Sequence, residues 1–375
     1  MAAPAPWRQR HPDLGPRRGS ADTARGDCDV RLDGRTRRPA DTAGMAATSR
    51  HHLIPQFLLR RFADADRKLV QVRRDALDLP LLTSVKNACN EAGFYRLEAE
   101  DLEPDHRAGH DPESIERSLS VFEQRAERSI QHLLNSSPPW PVKVHYDLAN
   151  FVALQYARGW RFRAELNELG TLAMRRELLS HPRVLEEEAR RFLRSCGMAP
   201  TRTAVAQLIN STYGPDGPRL VLGKAHAIQA SLGFALQTLS PMLWTRPLCL
   251  RHLAEDAPLL ISDNPVVTWA PGHADERVVA LADAATITLP LGPHLALSFC
   301  SRGNDTISQA GTTRARQINT AVADGADRWI YHHPETTPLQ GLHLPAEKPL
   351  WRDEHVASRV DDEGNCRELW QTVRR

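Results

Sequence analysis

The apolar residues of this chain repeat with two different periods in two different regions, and that division constrains the fold more than any other feature. Between Ser114 and Leu134 they recur as Ile115, Leu119, Phe122, Ala126, Ile130 and Leu133, three and four residues apart, the spacing of one helical face. Helices are also predicted over about 143–168, 182–195, 200–212 and 224–240. "PPWP" at 138–141 separates the first two, because proline cannot extend a helix and biases the residue before it toward extended geometry. From residue 247 the segments shorten and take strand character: PLCLRHL, PLLISD, PVVTWAP, ATITLPLG and LALSFCS. A helix over about 311–326 then leads into RWIYHH, and the last 40 residues hold scattered prolines and a terminal strand. Grouped helices followed by grouped strands predict α+β. The expected form is a helix-rich central part with a mainly antiparallel sheet built from the N-terminal strand and the last third of the chain.

The first 48 residues share neither period. They are rich in Arg, Pro, Ala, Gly and Asp and cannot bury enough surface to offset the entropy of ordering, so residues 1–48 are expected to be disordered. A basic arm for nucleic acid is one interpretation. Six Asp residues dilute that run, however, and Met45 stands just before the structured pattern in MAATSRHHLIPQ, which favours a chain starting there with an extension that is not native. Residues 49–375 are expected to form a single α+β domain.

From Arg50 onward, PQFLLRRFA predicts a short helix with Pro55 in its first turn, KLVQVRR a strand, and TSVKNACNEAGFYRL a short helix and an extended piece. A net charge of +2 gives no strong pull toward nucleic acid or a membrane. Of the 48 basic residues only five are lysine, so a single arginine carries little information. Six scattered cysteines form no C-x-x-C pair and no zinc-ligand spacing, which fits reduced thiols in a cytoplasmic protein. No apolar run approaches the roughly 20 residues of a membrane helix.

Four clusters place polar residues where apolar ones are expected. His51 and His52 precede the short helix, with Gln56 and Arg60 four apart on it and Arg61 beside them; histidines before a helix start suit an anion. Leu148, Val152, Gln155, Arg158 and Phe162 step by four, three, three and four, so Gln155 and Arg158 fall on the apolar stripe, where a guanidinium needs an anionic or multi-acceptor partner. Ser262, Asp263, Asn264 and Pro265 form a polar turn between two apolar strands, able to orient a histidine, pair with Arg158 or hold a cation. Asn319 stands beside Ile318 and Val322 on a helix, while His332 and His333 are expected in a loop. The chain has no G-x-S-x-G, P-loop, G-x-G-x-x-G or H-E-x-x-H motif.

Taken together, HHLIPQFLLRRF, the Gln155-x-x-Arg158 pair and the Ser262–Pro265 turn resemble the domain of unknown function 4238 family. NEAGFYRLE resembles that family's segment after the first hairpin, and INTAVADGADRWIYHH its closing helix and strand, with Asn319 at the matching position. The likeness spans about residues 50–334 and implies where a site lies, not what reaction occurs there.

The leading expectation is a hydrolase acting on a phosphodiester or nucleotide. His51 or His52 would be general acid/base, Arg158 and Arg60 would neutralise phosphate charge, and Asp263 would orient a histidine or hold a divalent cation. Gln56, Gln155, Ser262, Asn264 and Asn319 would bind substrate, and no residue is assigned as a metal ligand. HHLIP is similar to His-His stretches in some His-Asn-His nucleases, without their downstream spacing. The alternative is a non-catalytic binding module for an anionic small molecule, a nucleic acid or a protein partner. A third possibility is a buried polar network that only fixes the packing. Convergence at an open cleft would favour the first two; convergence in a closed core would favour the third.

Overall fold

The computed structural model describes residues 50–214, 217–270, 281–344, 351–360 and 366–374. The expectation for residues 1–48 lies outside them. The chain enters through β1 (Arg50–His52) and one turn of helix, α1 (Gln56–Arg60). It continues through the hairpin of β2 (Lys68–Arg73) and β3 (Ala76–Ser84) to the short β4 (Asn90–Ala92). The helical part comprises α2 (Ser114–Asn135), α3 (Val142–Ala157), α4 (Trp160–Leu179), α5 (Pro182–Ser195), α6 (Arg202–Tyr213) and α7 (Lys224–Gly233). A π-helical turn at Phe234–Leu239 joins α7 to α8 (Ser240–Trp244). The strands that follow are β5 (Leu248–Leu253), β6 (Ile261–Ser262), β7 (Val267–Trp269), β8 (Thr286–Gly292), β9 (Leu295–Cys300) and β10 (Thr306–Ala310). Helix α9 (Thr312–Asp324) leads to β11 (Trp329–His332), and β12 (Trp351–Val360) pairs with β13 (Cys366–Arg374).

The fold is α+β, and among the described residues the main sheets hold two layers of core apart. The five-stranded sheet has the order β10-β5-β9-β8-β7 and is antiparallel except where β10 runs parallel to β5. Alternate residues divide between its faces, as the two-residue period of a strand requires. Leu248, Leu250, Ile287, Leu289, Leu297 and Phe299 face the larger core with the helices. Trp269 and Ala296 face a second core against Ile318 and Val322 of α9. The four-stranded sheet, β3-β2-β11-β6, is wholly antiparallel. At the centre of the helical layer lies α3, buried on nearly every side, packed against α2, α4, α7 and α8. A helix apolar all round is stable only when covered all round.

Several expectations need correction. The helix expected over 143–168 is two helices. Arg158 closes α3, Gly159 turns extended (φ −77°, ψ 172°), and α4 starts afresh at Trp160. The periodicity runs straight through this break, because Phe162 is buried on the next helix as it would have been on the same one. The helix expected over 224–240 continues to Trp244. Pro241, which has no N–H to donate, accounts for the π turn before it. Residues 85–89 form turns, not a helix: the Asn90 side chain donates to the carbonyls of Lys86 and Asn87 and competes with helical continuation. Strands β1, β3 and β10 were not anticipated, and the last 40 residues hold two strands, β12 and β13, where one was expected. His332, expected in a loop, is the last residue of β11.

Candidate functional site

His51 is fixed from three sides. It pairs with Glu91 across β1–β4, stacks on Tyr95 with ring centroids 5.8 Å apart, and accepts the Tyr95 backbone N–H at Nδ1 (2.7 Å). The proton therefore sits on Nε2, which donates to Glu113 at 2.8 Å. The other oxygen of Glu113 takes a bond from Arg96 (2.8 Å). His52 is half-buried, and its Nε2 has no hydrogen-bond partner among the described residues. Burial lowers its pKa, the Lys86 carbonyl opposes that, and Arg158 and His51 reinforce it.

Arg158 supplies the hub. From the C-terminus of α3 its guanidinium donates to the carbonyls of Leu53 (2.7 Å) and His52 (3.3 Å) and to Glu123 of α2 (2.8 Å). With the Gln155 amide turned to satisfy both its ends, Gln155 accepts from Arg158 Nε and Nη2 at 3.0 Å each. Burial works against the charge, but Tyr95, Glu123 and Glu116 outweigh it and hold the guanidinium above its ordinary pKa. Burial raises the pKa of Glu116, which His51 and Arg158 only partly offset. The anionic partner that the position of Arg158 demanded is thus an internal carboxylate.

The Ser262–Pro265 turn grips the connection between α9 and β11. Asp263 Oδ1 accepts the N–H of Asp327 (2.8 Å), and Oδ2 accepts those of Arg328 (2.8 Å) and Trp329 (2.9 Å). Burial raises the Asp263 pKa against these three bonds. Ser262 donates to Val322 O and Asn264 O, and Asn264 Nδ2 to Gly325 O. Asn319 completes the clamp, accepting Leu260 N–H (3.0 Å) and donating to Pro258 O (2.9 Å).

The clusters meet, and they meet in packed core. A Cβ on Gly159 would lie 3.7 Å from Asp263 O, next to Arg158 in sequence. Cys89 links the rest: its carbonyl accepts Leu53 N–H (2.9 Å) and its N–H donates to the Tyr331 hydroxyl (2.8 Å). His51, Gln155, Arg158, Ser262, Asp263 and Asn319 are each no more than 4% exposed. The remaining candidates stand apart. Gln56 and Arg60 lie on the solvent face of α1, with Arg60 3.4 Å from Glu127. With five residues, α1 is too short to build the anion site expected at its start.

Sequence reasoning missed Glu113, Glu116 and Glu123, which converge on His51 and Arg158 from α2 and its entry, and Asp327, whose Oδ2 accepts Arg161 N–H (2.9 Å) at the start of α4. It also missed Arg163. This residue is only 8% exposed, lies face-on to Phe94 with its guanidinium carbon 3.8 Å from the ring centroid, and is flanked by Trp160 (5.6 Å) and Tyr95 (5.9 Å). Its Nε has no hydrogen-bond partner, and no described carboxylate pairs with it. Burial lowers its pKa, with Tyr95 opposing. Lys224, at the start of α7, donates to Gly93 O (3.0 Å) beside the same aromatic segment. The sequence signal was limited to an Arg three residues after an exposed Trp.

Among the described residues no group of three or more His, Cys, Asp or Glu is placed to hold a metal, and no helix is long and apolar enough to cross a membrane.

The chain is therefore an α+β protein whose distinctive polar residues cross-link its helical and sheet layers around Arg158 and Asp263. It belongs to the family described as Protein of unknown function (DUF4238), whose model matches residues 50–336. No curated protein and no solved structure matches it.

Proposed function

We propose that the protein binds an anionic ligand carrying a flat ring, on the outer side of the Phe94–Tyr95 segment. Arg163 would receive the anion and the half-exposed Trp160 the ring. The observation that carries this reading is the buried Arg163 Nε, which has no hydrogen-bond partner among the described residues. Taking an ion out of water costs several kcal/mol even after relaxation. A desolvated cation–π contact returns about 2 kcal/mol, and Arg stays charged throughout. The remainder, and the buried Nε–H that a ring face does not satisfy, call for an acceptor that the described residues do not supply. A phosphate or carboxylate fits a guanidinium fork, and nucleotides combine that group with a ring able to stack on tryptophan. In this reading Arg158 and Asp263 hold the walls and do not touch the ligand. A cytoplasmic setting accords with the free thiols of Cys89, Cys196, Cys249 and Cys300.

The test is titration of the full chain with adenine and uracil nucleotides and with inorganic phosphate, followed by calorimetry and tryptophan fluorescence. Binding that falls at least tenfold in Arg163→Met and Trp160→Ala supports the reading. Binding unchanged in both, or none by any probe at millimolar concentration, overturns it. A second reading, phosphodiester hydrolysis, is favoured by one feature, the unpartnered His52 Nε2. It predicts turnover of the bound nucleotide, with or without Mg²⁺ or Mn²⁺, that is lost in His52→Ala while binding persists.

A further inference from the structure

The face of the five-stranded sheet turned toward α9 is polar at one end. Cys249 on β5 stands opposite Ser298 on β9, so Cys300, two residues further along, is its diagonal neighbour on the same face. The two thiols are near enough for each to shift the other's ionisation. Cys249 Sγ also lies 3.2 Å from the Ser308 hydroxyl of β10 and 3.8 Å from an Arg251 guanidinium nitrogen. Arg314 of α9 comes in from above, its guanidinium carbon 4.8 Å from the Trp269 ring centroid, and Arg246 approaches Cys300 from before β5. Among the described residues, β5, α9 and the turn before β5 bring Arg251, Arg314 and Arg246 to this spot. Cys249 is 4% exposed, while Cys300, Ser308 and Arg251 beside it are half-buried.

We propose that Cys249 and Cys300 form a peroxide-oxidised thiol pair, Cys249 attacking and Cys300 resolving. The Cys249 thiolate attacks one oxygen of hydrogen peroxide. The O–O bond breaks, hydroxide leaves, and the sulfur becomes a sulfenic acid, oxidised by two electrons. Cys300 then displaces hydroxide from that sulfur, forming the disulfide; its thiol proton joins the departing hydroxide as water. Both steps follow from the placement. The thiolate is the nucleophile, and two guanidiniums and a hydroxyl stabilise it at Cys249. The neighbouring Cys300 thiol, the largest effect, the Ser308 bond and the two arginines together lower the Cys249 pKa to about 6 despite burial. The Cys249 sulfur, with burial, raises that of Cys300. A disulfide needs its Cβ atoms about 4 Å apart, against about 7 Å for an ordinary diagonal pair, so oxidation draws β5 and β9 together locally and reversibly. This pair lies on β5 and β9, which carry no residue of the proposed ligand site, and does not depend on it.

The experiment treats the reduced full chain with stoichiometric hydrogen peroxide, blocks remaining thiols, and maps the digest by mass spectrometry. A peptide joining Cys249 to Cys300, two hydrogens lighter than its parts and restored by dithiothreitol, is the expected product. In Cys300→Ser, a sulfenic-acid trap should label Cys249; in Cys249→Ser, Cys300 should stay reduced. Iodoacetamide should alkylate Cys249 in the reduced wild-type chain almost as fast at pH 6.5 as at pH 8.5, and Cys300→Ala, which removes the largest influence lowering the Cys249 pKa, should make that rate depend more steeply on pH. Oxidation confined to Cys196 or another thiol, with Cys249 and Cys300 unlinked, overturns the proposal. The wild-type map decides this even if a serine variant fails to fold.

Discussion

Asp327 gives its backbone N–H to Asp263 at 2.8 Å while its own carboxylate, held by Arg161 N–H, stays close to the Asp263 charge. Burial, then Asp263, raise the Asp327 pKa to about 7. A carboxyl group whose folded pKa exceeds its unfolded value binds more protons in the native state. Its contribution is therefore most favourable below about pH 4 and is lost as pH rises toward 7. Asp327→Asn keeps an acceptor for Arg161 N–H and removes the titration. Relative to wild type, the variant should gain on the order of 1–3 kcal/mol between pH 5 and pH 8. Urea unfolding at the two pH values measures this difference, and a gap that does not change with pH would rule the coupling out.

Asp263 itself should be costly to lose. Three backbone N–H groups point at one carboxylate, and charge-assisted bonds contribute about 1.5–3 kcal/mol each, with partial compensation by water where the turn opens. Asp263→Ala should destabilise by roughly 3–5 kcal/mol. Asp263→Asn, which retains one good acceptor oxygen, should fall between that variant and wild type. The ranking can be read from urea midpoints at pH 7. An alanine variant within 1 kcal/mol of wild type would show that the α9–β11 turn holds without the clamp.

How far the sequence foretold these contacts depends on whether each reflects local period or distant chemistry. The stripe through Leu148, Val152, Gln155 and Arg158 correctly marked Arg158 as buried, because burial of a helical face follows from spacing alone. It did not mark the break after Arg158, since period survives a change of helix and the acceptor that starts α4, Asp327, lies far along the chain. β3 was missed because Pro80 and the exposed Leu79, Leu81 and Leu82 belong to an edge strand with no clean buried face. Asp263 and Asn264 were legible as polar residues between buried strands, but not as a clamp: the three amides that Asp263 holds come from residues more than sixty positions away. Glu113, Glu116 and Glu123 look like solvent-facing charges on α2 and its entry until β1 is laid beside them.

Arg158 and Glu123 form the ion pair that ties α3 to α2, and breaking it from either side strands a charge. Arg158→Met leaves Glu123, the Gln155 amide and two backbone carbonyls without their donor. Removal of one partner of a buried pair costs about 3–5 kcal/mol. Glu123→Gln retains one hydrogen bond and should cost less, because Glu116 still offsets part of the charge on Arg158. Denaturant unfolding of both variants tests the order; equal losses would mean that Glu123 alone compensates the guanidinium.

Arg163, five residues along, should respond in the opposite direction to the same substitution. Both guanidiniums are buried, and composition gives no reason to treat them differently. Arg158 touches one carboxylate and several carbonyls, whereas Arg163 touches ring faces. In Arg163→Met the cation–π attraction, about 2 kcal/mol at most, is lost. The desolvation penalty of an unpaired charge, several kcal/mol, is lost with it. The methionine stem keeps the contact with Phe94. The ligand-free variant should therefore be as stable as wild type or up to about 2 kcal/mol more so, and it should no longer be stabilised by added nucleotide. A loss comparable to that of Arg158→Met would mean that Arg163 serves the fold, and the anion would no longer be needed to explain it.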